Sequence, residues 1–286
     1  MSTLLGPAEI RDLADVLDLQ PTKKLGQNFV VDGNTVRKIV RASGVVAGEH
    51  VVEVGPGLGS LTLGLLEVGA RVTAIEIDPR LAAQLPRTVE AMQPGASLAV
   101  VSADALTIDG VASEPTALVA NLPYNVSVPV LLHLLHVVSS LTSALVMVQA
   151  EVGHRLAADP GSRVYGSPSV KAAWYGAWSI AGTVSRQVFW PVPNVDSVLV
   201  GFRRGVLPGT DAERAATFSL VDAAFGQRRK MLRQALAGVL GDAATASACL
   251  EAAGVDPTAR GEQLTVGDFL RIARVEGTSN RLFPLP

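Results

Sequence analysis

The chain has 286 residues, of which 48% are hydrophobic and 17% charged, and its formal net charge is −2. This length suits one large domain or a large domain with a smaller one, and the apolar fraction excludes a disordered chain. A net charge so close to zero gives no global signal for nucleic-acid binding. The single cysteine, Cys249, excludes an internal disulfide framework and a thiolate metal site.

The first two thirds of the chain alternate between strand and helix patterns. An amphipathic helix over 7–19, the basic segment PTKKLGQNFVVD and a helix over 33–43 come first. Predicted strands then follow at HVVEVG (50–55), RVTAIEID (71–78), SLAVVSAD (97–104), TALVANLPY (116–124) and SALVMVQ (143–149). Helices over 60–69, 80–92 and 128–138 separate them, and Pro86 could interrupt the second. Apolar strands separated by helices predict a mostly parallel, doubly wound α/β sheet.

The pattern changes after residue 150. Later strands are predicted at AWSIAGTVS (177–185) and DSVLVGFRR (196–204), and helices at 211–225, 227–238, 243–253 and 264–275. LPGTD at 207–211 carries the Gly and Pro residues typical of a boundary. We therefore predict a domain over 1–207, with a helical and basic segment at 1–45, and a small all-helical domain over 208–286.

Neither a membrane span nor a metal site is predicted. Residues 115–150 contain no Asp, Glu, Lys or Arg, but NLPYN, Pro129 and SSLTS break the segment well below the 18 apolar residues that a span needs. His133 and His136 could share a helix face, yet no set of carboxylates accompanies them. The opening MSTLLGPAEIRDLADVL carries charge where a signal peptide would be apolar.

A glycine-rich turn, VVEVGPGLGS (51–60), joins a predicted strand to a helix. Such a turn lets the backbone approach a nucleotide, although a plain tight turn is the alternative. Its G-x-G-x-G spacing differs from the dinucleotide pattern G-x-G-x-x-G, and no G-K-[ST] follows as in a phosphate-binding loop.

Polar residues follow three further strands. Glu76 comes at the end of the second predicted strand, Asp104 after the third and Asn121 at the end of the fourth. A carboxylate after the second strand can accept both hydroxyl hydrogens of a ribose, and Asp104 could accept from an adenine amino group, although a loop Asp often only forms a turn. Because the carboxyl ends of parallel strands share one edge, the series predicts a nucleoside site that suits S-adenosylmethionine better than NAD.

Six segments occur in an order that resembles the ribosomal RNA adenine N6,N6-dimethyltransferase (KsgA/RsmA) family: GQNF (26–29), EVGPGLGSLT (53–62), AIEID (74–78), NLPYNVS (121–127), FWPVPNVDS (189–197) and FGQRRKMLRQAL (225–236). The resemblance covers roughly residues 20–275. GQNF and the glycine turn also occur in the Erm-type 23S rRNA methyltransferases. The segment at 146–170, FWPVPNVDS and QRRK favour the KsgA/RsmA side. The chain departs from the family pattern at Val30, Val128 and Gln234, among others. None of these departures changes a residue expected at the reacting amine.

This resemblance implies a Rossmann-like class I methyltransferase fold with a helical C-terminal domain, S-adenosylmethionine as methyl donor and no metal. The cofactor-binding residues that it implies are Gln27, Asn28, Val30, Gly55, Gly57, Glu76, Asp104, Ala105 and Asn121. The implied reaction is dimethylation of two adjacent adenosines in the 3′-terminal helix of 16S rRNA, during maturation of the 30S ribosomal subunit. A cytoplasmic monomer is expected.

The same resemblance implies roles at the reacting amine. The Asn121 side-chain oxygen and the Leu122 carbonyl would accept its hydrogens, with Pro123 fixing that backbone. Tyr124 would stack on the flipped base, and Phe189 would form a second aromatic wall, unless it packs in the core. The residues expected to contact RNA phosphates are Lys23, Lys24, Arg228, Arg229, Lys230 and Arg233. Their alternative role is a solvated basic surface.

Two other functions remain open from the sequence. One is an Erm-like enzyme that methylates adenine in 23S rRNA. The other is a non-catalytic ribosome-assembly factor that has kept the fold, against which the intact Glu76, Asp104, Asn121 and Tyr124 argue.

Overall fold

A computed structural model describes residues 3–19, 28–275 and 278 of the chain. Packing divides the chain into two compact units. The sheet unit comprises Met1–Gly153 and Ser179–Arg204, and the helical unit comprises His154–Trp178 and Gly205–Pro286. The domain boundary predicted at residues 207 and 208 stays a prediction, and the helical unit includes residues 154–178 in addition to the C-terminal helices.

The strands are β1 (Phe29–Val30), β2 (His50–Val54), β3 (Arg71–Glu76), β4 (Leu98–Ser102), β5 (Ala117–Asn121), β6 (Ser143–Gln149), β7 (Gly176–Val184), β8 (Phe189–Trp190) and β9 (Ser197–Arg204). Seven of them form one sheet in the order β4-β3-β2-β5-β6-β9-β7, and β1 pairs separately with β8. The pairs from β4 to β6 are parallel, whereas β9 runs antiparallel to β6. The predicted doubly wound, mostly parallel sheet is confirmed, and its order reverses between β2 and β5.

The helices are α1 (Pro7–Val16), α2 (Gly33–Ser43), α3 (Ser60–Glu67), α4 (Pro79–Met92), α5 (Ser127–Val137), α6 (Ala150–Leu156), α7 (Ser167–Ala173), α8 (Asp211–Gly226), α9 (Leu232–Ala235), α10 (Ala237–Leu240), α11 (Ala243–Ala252) and α12 (Val266–Arg274). The sequence did not predict α6, α7 or the short β1–β8 pair. No helix in the described ranges is both long and apolar enough to cross a membrane.

Helix α2 illustrates how local signals and packing agree. The Asp32 side chain accepts a hydrogen bond from Thr35 N at 2.8 Å, and Gly44 ends the helix in the left-handed conformation with φ 73°. The helix, predicted over 33–43, buries Val36, Ile39 and Val40 on one face. Its neighbour α3 approaches closely at Gly64, where a Cβ atom would lie 2.3 Å from Val36 Cγ1.

The interruption predicted at Pro86 is wrong, because α4 continues through this residue. Proline removes one helical hydrogen bond, but the apolar face of α4 buries Leu81, Leu85 and Val89 in the core of the sheet unit. The burial of this face compensates for the lost bond.

The helix predicted over 227–238 is also wrong in its first five residues, which lie in turns before α9 begins at Leu232. Leu232 N donates to Ala259 O at 2.8 Å, and Arg233 N donates to Pro257 O at 3.1 Å. These backbone donors are bonded to a distant loop, so they do not continue a helix that starts at residue 227.

Candidate cofactor and base site

A cavity of about 540 Å³ opens at the carboxyl ends of β2, β3 and β5 in the sheet unit. Its volume lies in the usual range for ligand pockets, about 300–1,000 Å³. The sequence-predicted residues that line it are Asn28, Val30, Gly55, Gly57, Glu76, Asp104, Ala105, Asn121 and Pro123. The cavity thus lies at the point where the strand order reverses, which is where such sheets bind nucleotides.

The glycine turn between β2 and α3 forms one wall of this cavity. Gly55 and Gly57 have φ values of +66° and +58°, a backbone conformation that glycine adopts without steric cost. At Gly57 a Cβ atom would also lie 2.9 Å from Phe29 Cε1. The turn therefore requires glycine both for its conformation and for space.

Glu76, at the end of β3, is 5% exposed and its carboxylate lies beside the turn. Its two oxygens accept hydrogen bonds from Asp78 N at 3.0 Å and from Gly57 N at 3.2 Å. Burial raises the pKa of Glu76, and these two N–H donors oppose that rise. Each carboxylate oxygen keeps a further lone pair, so the group can also accept from the two hydroxyls of a ribose.

Asp104 and Ala105 follow β4 at the next position along the cavity edge. One Asp104 oxygen accepts from Leu106 N at 2.9 Å, which is the turn-forming role considered as the alternative. That bond occupies one carboxylate oxygen and leaves the second with its acceptor capacity. The two roles are therefore compatible, and the acids, glycines and volume together fit a nucleoside cofactor such as S-adenosylmethionine.

Asn121 ends β5, beside the glycine turn at the wall of the cavity. Its side-chain Nδ2 donates to Asn28 O at 3.1 Å, across 93 residues of sequence. This bond fixes which end of the amide is oxygen, and within the described residues no donor occupies Oδ1. The Asn121 side chain is thus a hydrogen-bond acceptor held at the wall of the cavity.

The two residues after Asn121 are held by backbone hydrogen bonds, whereas Asn121 is held through its side chain. Leu122 N donates to Met147 O at 3.1 Å, and the Leu122 residue is 1% exposed. Pro123 lines the cavity, and its carbonyl accepts from Val126 N at 3.2 Å, which closes a turn into α5. The role of the Leu122 carbonyl as an acceptor for substrate stays a prediction.

Tyr124 is half-buried beside the cavity rather than in its lining. Its hydroxyl lies 2.6 Å from Ser197 Oγ, and burial raises the pKa of the phenol. The phenol is therefore neutral near pH 7 and can donate to the serine.

Phe189 packs in the core, which the sequence left as the alternative to a second aromatic wall. It is 2% exposed, pairs with Val30 in the β1–β8 pair and belongs to the hydrophobic core of the sheet unit. In this structure it packs as a core residue, so we leave it out of the base-binding residues. Of the other predicted site residues, Gln27, Lys23 and Lys24 lie outside the described part of the chain.

Two of the cavity residues that the sequence did not predict stand out by their burial or exposure. Glu53 in β2 is 1% exposed and accepts from Thr62 Oγ1 at 2.6 Å, and Ile77 after β3 is 63% exposed. Both carried a signal in the sequence: a charge within an apolar strand is costly to bury, and an apolar residue beyond a strand end is costly to expose. Within the described ranges no group of three or more His, Cys, Asp or Glu could hold a metal ion.

The buried Glu53 predicts a pH dependence of stability. Burial raises its pKa from 4.5 to about 8, the Thr62 hydrogen bond partly opposes this, and nearby Glu76 adds to it. The folded state thus holds a proton that the unfolded state has lost, so this group lowers the free energy of unfolding as pH rises from about 4.5 to 8. The slope is at most about 1.4 kcal/mol per pH unit.

We therefore expect Glu53→Gln to flatten the fall in unfolding free energy between pH 5.5 and pH 7.5, measured by denaturant titration. Glu67→Gln is the control, because the Arg37 hydrogen bond lowers the pKa of Glu67 and so confines its effect to more acidic pH. Parallel pH profiles for the wild type and Glu53→Gln would contradict the prediction.

The predicted RNA-contacting residues of the helical unit are not equivalent. Arg228 pairs with Glu262 at 2.8 Å and donates to Arg163 O at 3.0 Å, so its guanidinium already has protein partners. Arg229 and Lys230 are exposed, and Arg233 is half-buried. Arg228 is exposed as well but already paired, so among the described residues this turn presents two exposed cations that have no ion pair, Arg229 and Lys230.

Comparison with known proteins identifies the family. The family model for ribosomal RNA adenine dimethylase matches residues 19–276. A relative from Leifsonia xyli subsp. xyli, named ribosomal RNA small subunit methyltransferase A, is 69% identical over 273 residues, covering 94% of this chain and 98% of the relative. A second relative of the same name, from Streptomyces avermitilis, is 58% identical over 281 residues and covers 97% and 95%.

Solved structures agree with the fold. A dimethyladenosine transferase from Plasmodium falciparum aligns with TM-score 0.70 at 23% identity, covering 84% of this chain and 94% of its own. The 23S rRNA methyltransferase ErmE aligns with TM-score 0.63 at 28% identity, covering 86% and 98%. With its family model matched over nearly the whole chain and its relatives aligned along almost their full length, this chain belongs to the ribosomal RNA adenine dimethylase family.

Proposed function

We propose that the protein uses S-adenosylmethionine to dimethylate the N6 amino groups of two adjacent adenosines in the 3′-terminal helix of 16S rRNA. Family membership supports the rRNA adenine dimethylation, and the names of the relatives support the small subunit as its site. The observation on this chain that carries the proposal is the Asn121 amide, whose Nδ2 is bound to Asn28 O so that Oδ1 is the end available to an incoming amine.

The adenine N6 amine is a poor nucleophile, because its lone pair is delocalised into the ring. Acceptors aimed at its two hydrogens favour a pyramidal nitrogen whose lone pair is more available. We assign these roles to Asn121 Oδ1 and the Leu122 carbonyl, and base stacking to the Tyr124 ring.

S-adenosylmethionine, when bound, supplies an electrophilic methyl group that needs no activation by the protein. The contribution of this chain is therefore to position the amine and to stabilise the charge that develops on it. Glu76 and Asp104 would hold the ribose and the adenine of the cofactor at the ends of β3 and β4. Neither role requires a catalytic histidine.

We further propose that the substrate is a precursor of the 30S subunit, that the protein acts as a monomer and that it does so in the cytoplasm, where ribosomes assemble. The Erm-like alternative rests on the ErmE alignment, which is weaker in identity than the alignments with the small-subunit enzymes. The alternative of a non-catalytic assembly factor lacks support from the site, where the predicted acids and Asn121 all line the cavity.

The proposal is tested by methyl transfer from labelled S-adenosylmethionine to 30S particles that lack dimethyladenosine, with 50S particles in parallel and at several salt concentrations. We expect label in dimethyladenosine of 16S rRNA alone. Label confined to 23S rRNA would establish the Erm-like alternative. If adenine in neither particle is labelled, the enzymatic function is wrong.

Arg229 and Lys230 supply a separate prediction about docking. We expect the double substitution Arg229→Ala/Lys230→Ala to weaken 30S binding and to reduce the slope of log affinity against log salt by about 2, since each phosphate contact contributes about 1. Arg87→Ala, an exposed arginine in α4, is the matched control and should leave the slope unchanged. Arg228→Ala should change the slope less than either Arg229→Ala or Lys230→Ala, because Glu262 already pairs with Arg228.

The readout is a binding titration across salt concentrations. An unchanged slope in the Arg229→Ala/Lys230→Ala variant would show that these two cations form only a solvated surface.

A further inference from the structure

The hydroxyl of Tyr124 forms a hydrogen bond that stacking on a base does not require. A phenylalanine ring offers the same face for stacking, yet the Tyr124 hydroxyl lies 2.6 Å from Ser197 Oγ across 73 residues of sequence. Ser197 is 1% exposed, so its own hydroxyl depends on a protein partner for hydrogen bonding. The bond therefore gives the buried serine hydroxyl its hydrogen-bond partner, and it restricts the rotation of the tyrosine ring.

The backbone of Ser197 is firmly held. It begins β9, where it pairs with Gln149 of β6, and the preceding Asp196 O accepts from Ala150 N at 2.8 Å. The end of β5 lies on the other side of β6, where Asn121 pairs with Met147. Because the ends of β5 and β6 and the start of β9 meet at one sheet edge, Ser197 is a fixed point next to the Asn121 loop.

The backbone of Tyr124 is also constrained, since Leu122 N is bonded to Met147 O and Val126 N closes the turn onto Pro123 O. What these bonds leave open is the rotation of the tyrosine side chain about χ1 and χ2. A hydrogen bond at the far end of the ring removes that freedom. It thereby selects one ring plane beside the acceptor group of Asn121.

We propose that Ser197 is a positioning residue, which holds the Tyr124 ring in the plane that stacks on the target adenine. This inference rests on the proposed function, because it assigns an orientation to the ring that the function uses. Among the described residues that line the cavity, Ser197 is not included. This agrees with a residue that acts through Tyr124 and does not touch the reacting amine.

The first test is a double-mutant cycle on methyl transfer at saturating 30S particles. Tyr124→Phe and Ser197→Ala should each lower the rate by about 2- to 12-fold, the range for one net hydrogen bond. The double variant should be no slower than the slower single variant, because both changes remove the same bond. Binding of S-adenosylhomocysteine, followed by calorimetry, should be unchanged.

A matched pair separates the hydroxyl from the packing. Threonine and valine have nearly the same branched shape at a buried position, and only threonine keeps the hydroxyl of Ser197. We expect the threonine variant to retain more methyl transfer than the valine variant. Equal losses in both, additive losses in the cycle, or an unaffected Ser197→Ala rate would overturn the positioning role.

A second readout does not depend on methyl transfer. The full-length protein is titrated with an rRNA hairpin that carries 2-aminopurine at the target adenosine, whose fluorescence is quenched by stacking. Ser197→Ala and Tyr124→Phe should reduce the quenching equally at saturation, and Tyr124→Ala should reduce it further. Full quenching in Ser197→Ala would overturn the positioning role of Ser197, even if the wild type transfers methyl groups. Absence of methyl transfer by the wild type would count against the proposed function alone.

Discussion

Replacing Asn121 by alanine is expected to lower methyl transfer to 30S particles by about 10²–10³-fold, comparable to the loss of one preorganised polar group at a reaction centre. The physical reason is that Oδ1 is the acceptor held at the cavity wall through the Nδ2 bond to Asn28 O. Subunit binding should change much less, because the side chain serves the amine and not the phosphates. The two measurements are initial rates with labelled S-adenosylmethionine and a binding titration.

Asn125→Ala is the matched control, since Asn125 lies in the same turn, is exposed and does not line the cavity. It should keep its methyl transfer. If Asn121→Ala loses rate and subunit binding to the same degree, its assignment to the reacting amine is wrong.

Replacing Glu76 by alanine is expected to weaken cofactor binding by about 10- to 100-fold for every charge-assisted hydrogen bond lost. Glu76 is nearly fully buried, and it also holds the glycine turn through Gly57 N at 3.2 Å. The variant therefore loses both the ribose acceptors and a bond that shapes the turn. Calorimetric titration with S-adenosylhomocysteine measures the effect without catalysis.

Asp78→Asn provides the control for Glu76→Ala. Asp78 also lines the cavity, but its carboxylate pairs with Arg80 at 2.8 Å and caps the N-terminus of α4. Asparagine can form the same cap. Cofactor affinity should change little. Equal losses in Asp78→Asn and Glu76→Ala would assign the effect to the loop as a whole and contradict a ribose-binding role for Glu76.

Much of the sheet unit was predictable because its signals are local. Apolar runs such as β2 and β6 alternate with helices, and the polar residues Glu76, Asp104 and Asn121 stand at strand ends, where parallel topology gathers them. All three line the cavity. The predicted helix at 227 failed because the donors of Leu232 and Arg233 bond to a loop some 25 residues away, which no local pattern reveals.

Phe189 shows why the sequence left two roles open for one residue. Its F-x-P-x-P context indicated a base-stacking wall, yet β8 pairs with β1 and buries the ring. Two-residue strands carry no periodicity, and this pairing joins segments far apart in the chain. Ser197 is a converse case, since nothing in VDSVLV marks its hydroxyl as the partner of Tyr124.

By itself, the sequence predicted the doubly wound sheet and the nucleoside site at its edge, since strand pattern, glycine spacing and strand-end polar residues are local signals. The family followed from the resemblance of six segments in their order along the chain. The tertiary structure decided which end of the Asn121 amide faces the cavity, which ring is buried and which basic side chains are already paired. These properties depend on hydrogen bonds and packing between residues far apart in the chain, which only the register of the strands and the packing of the helices bring together.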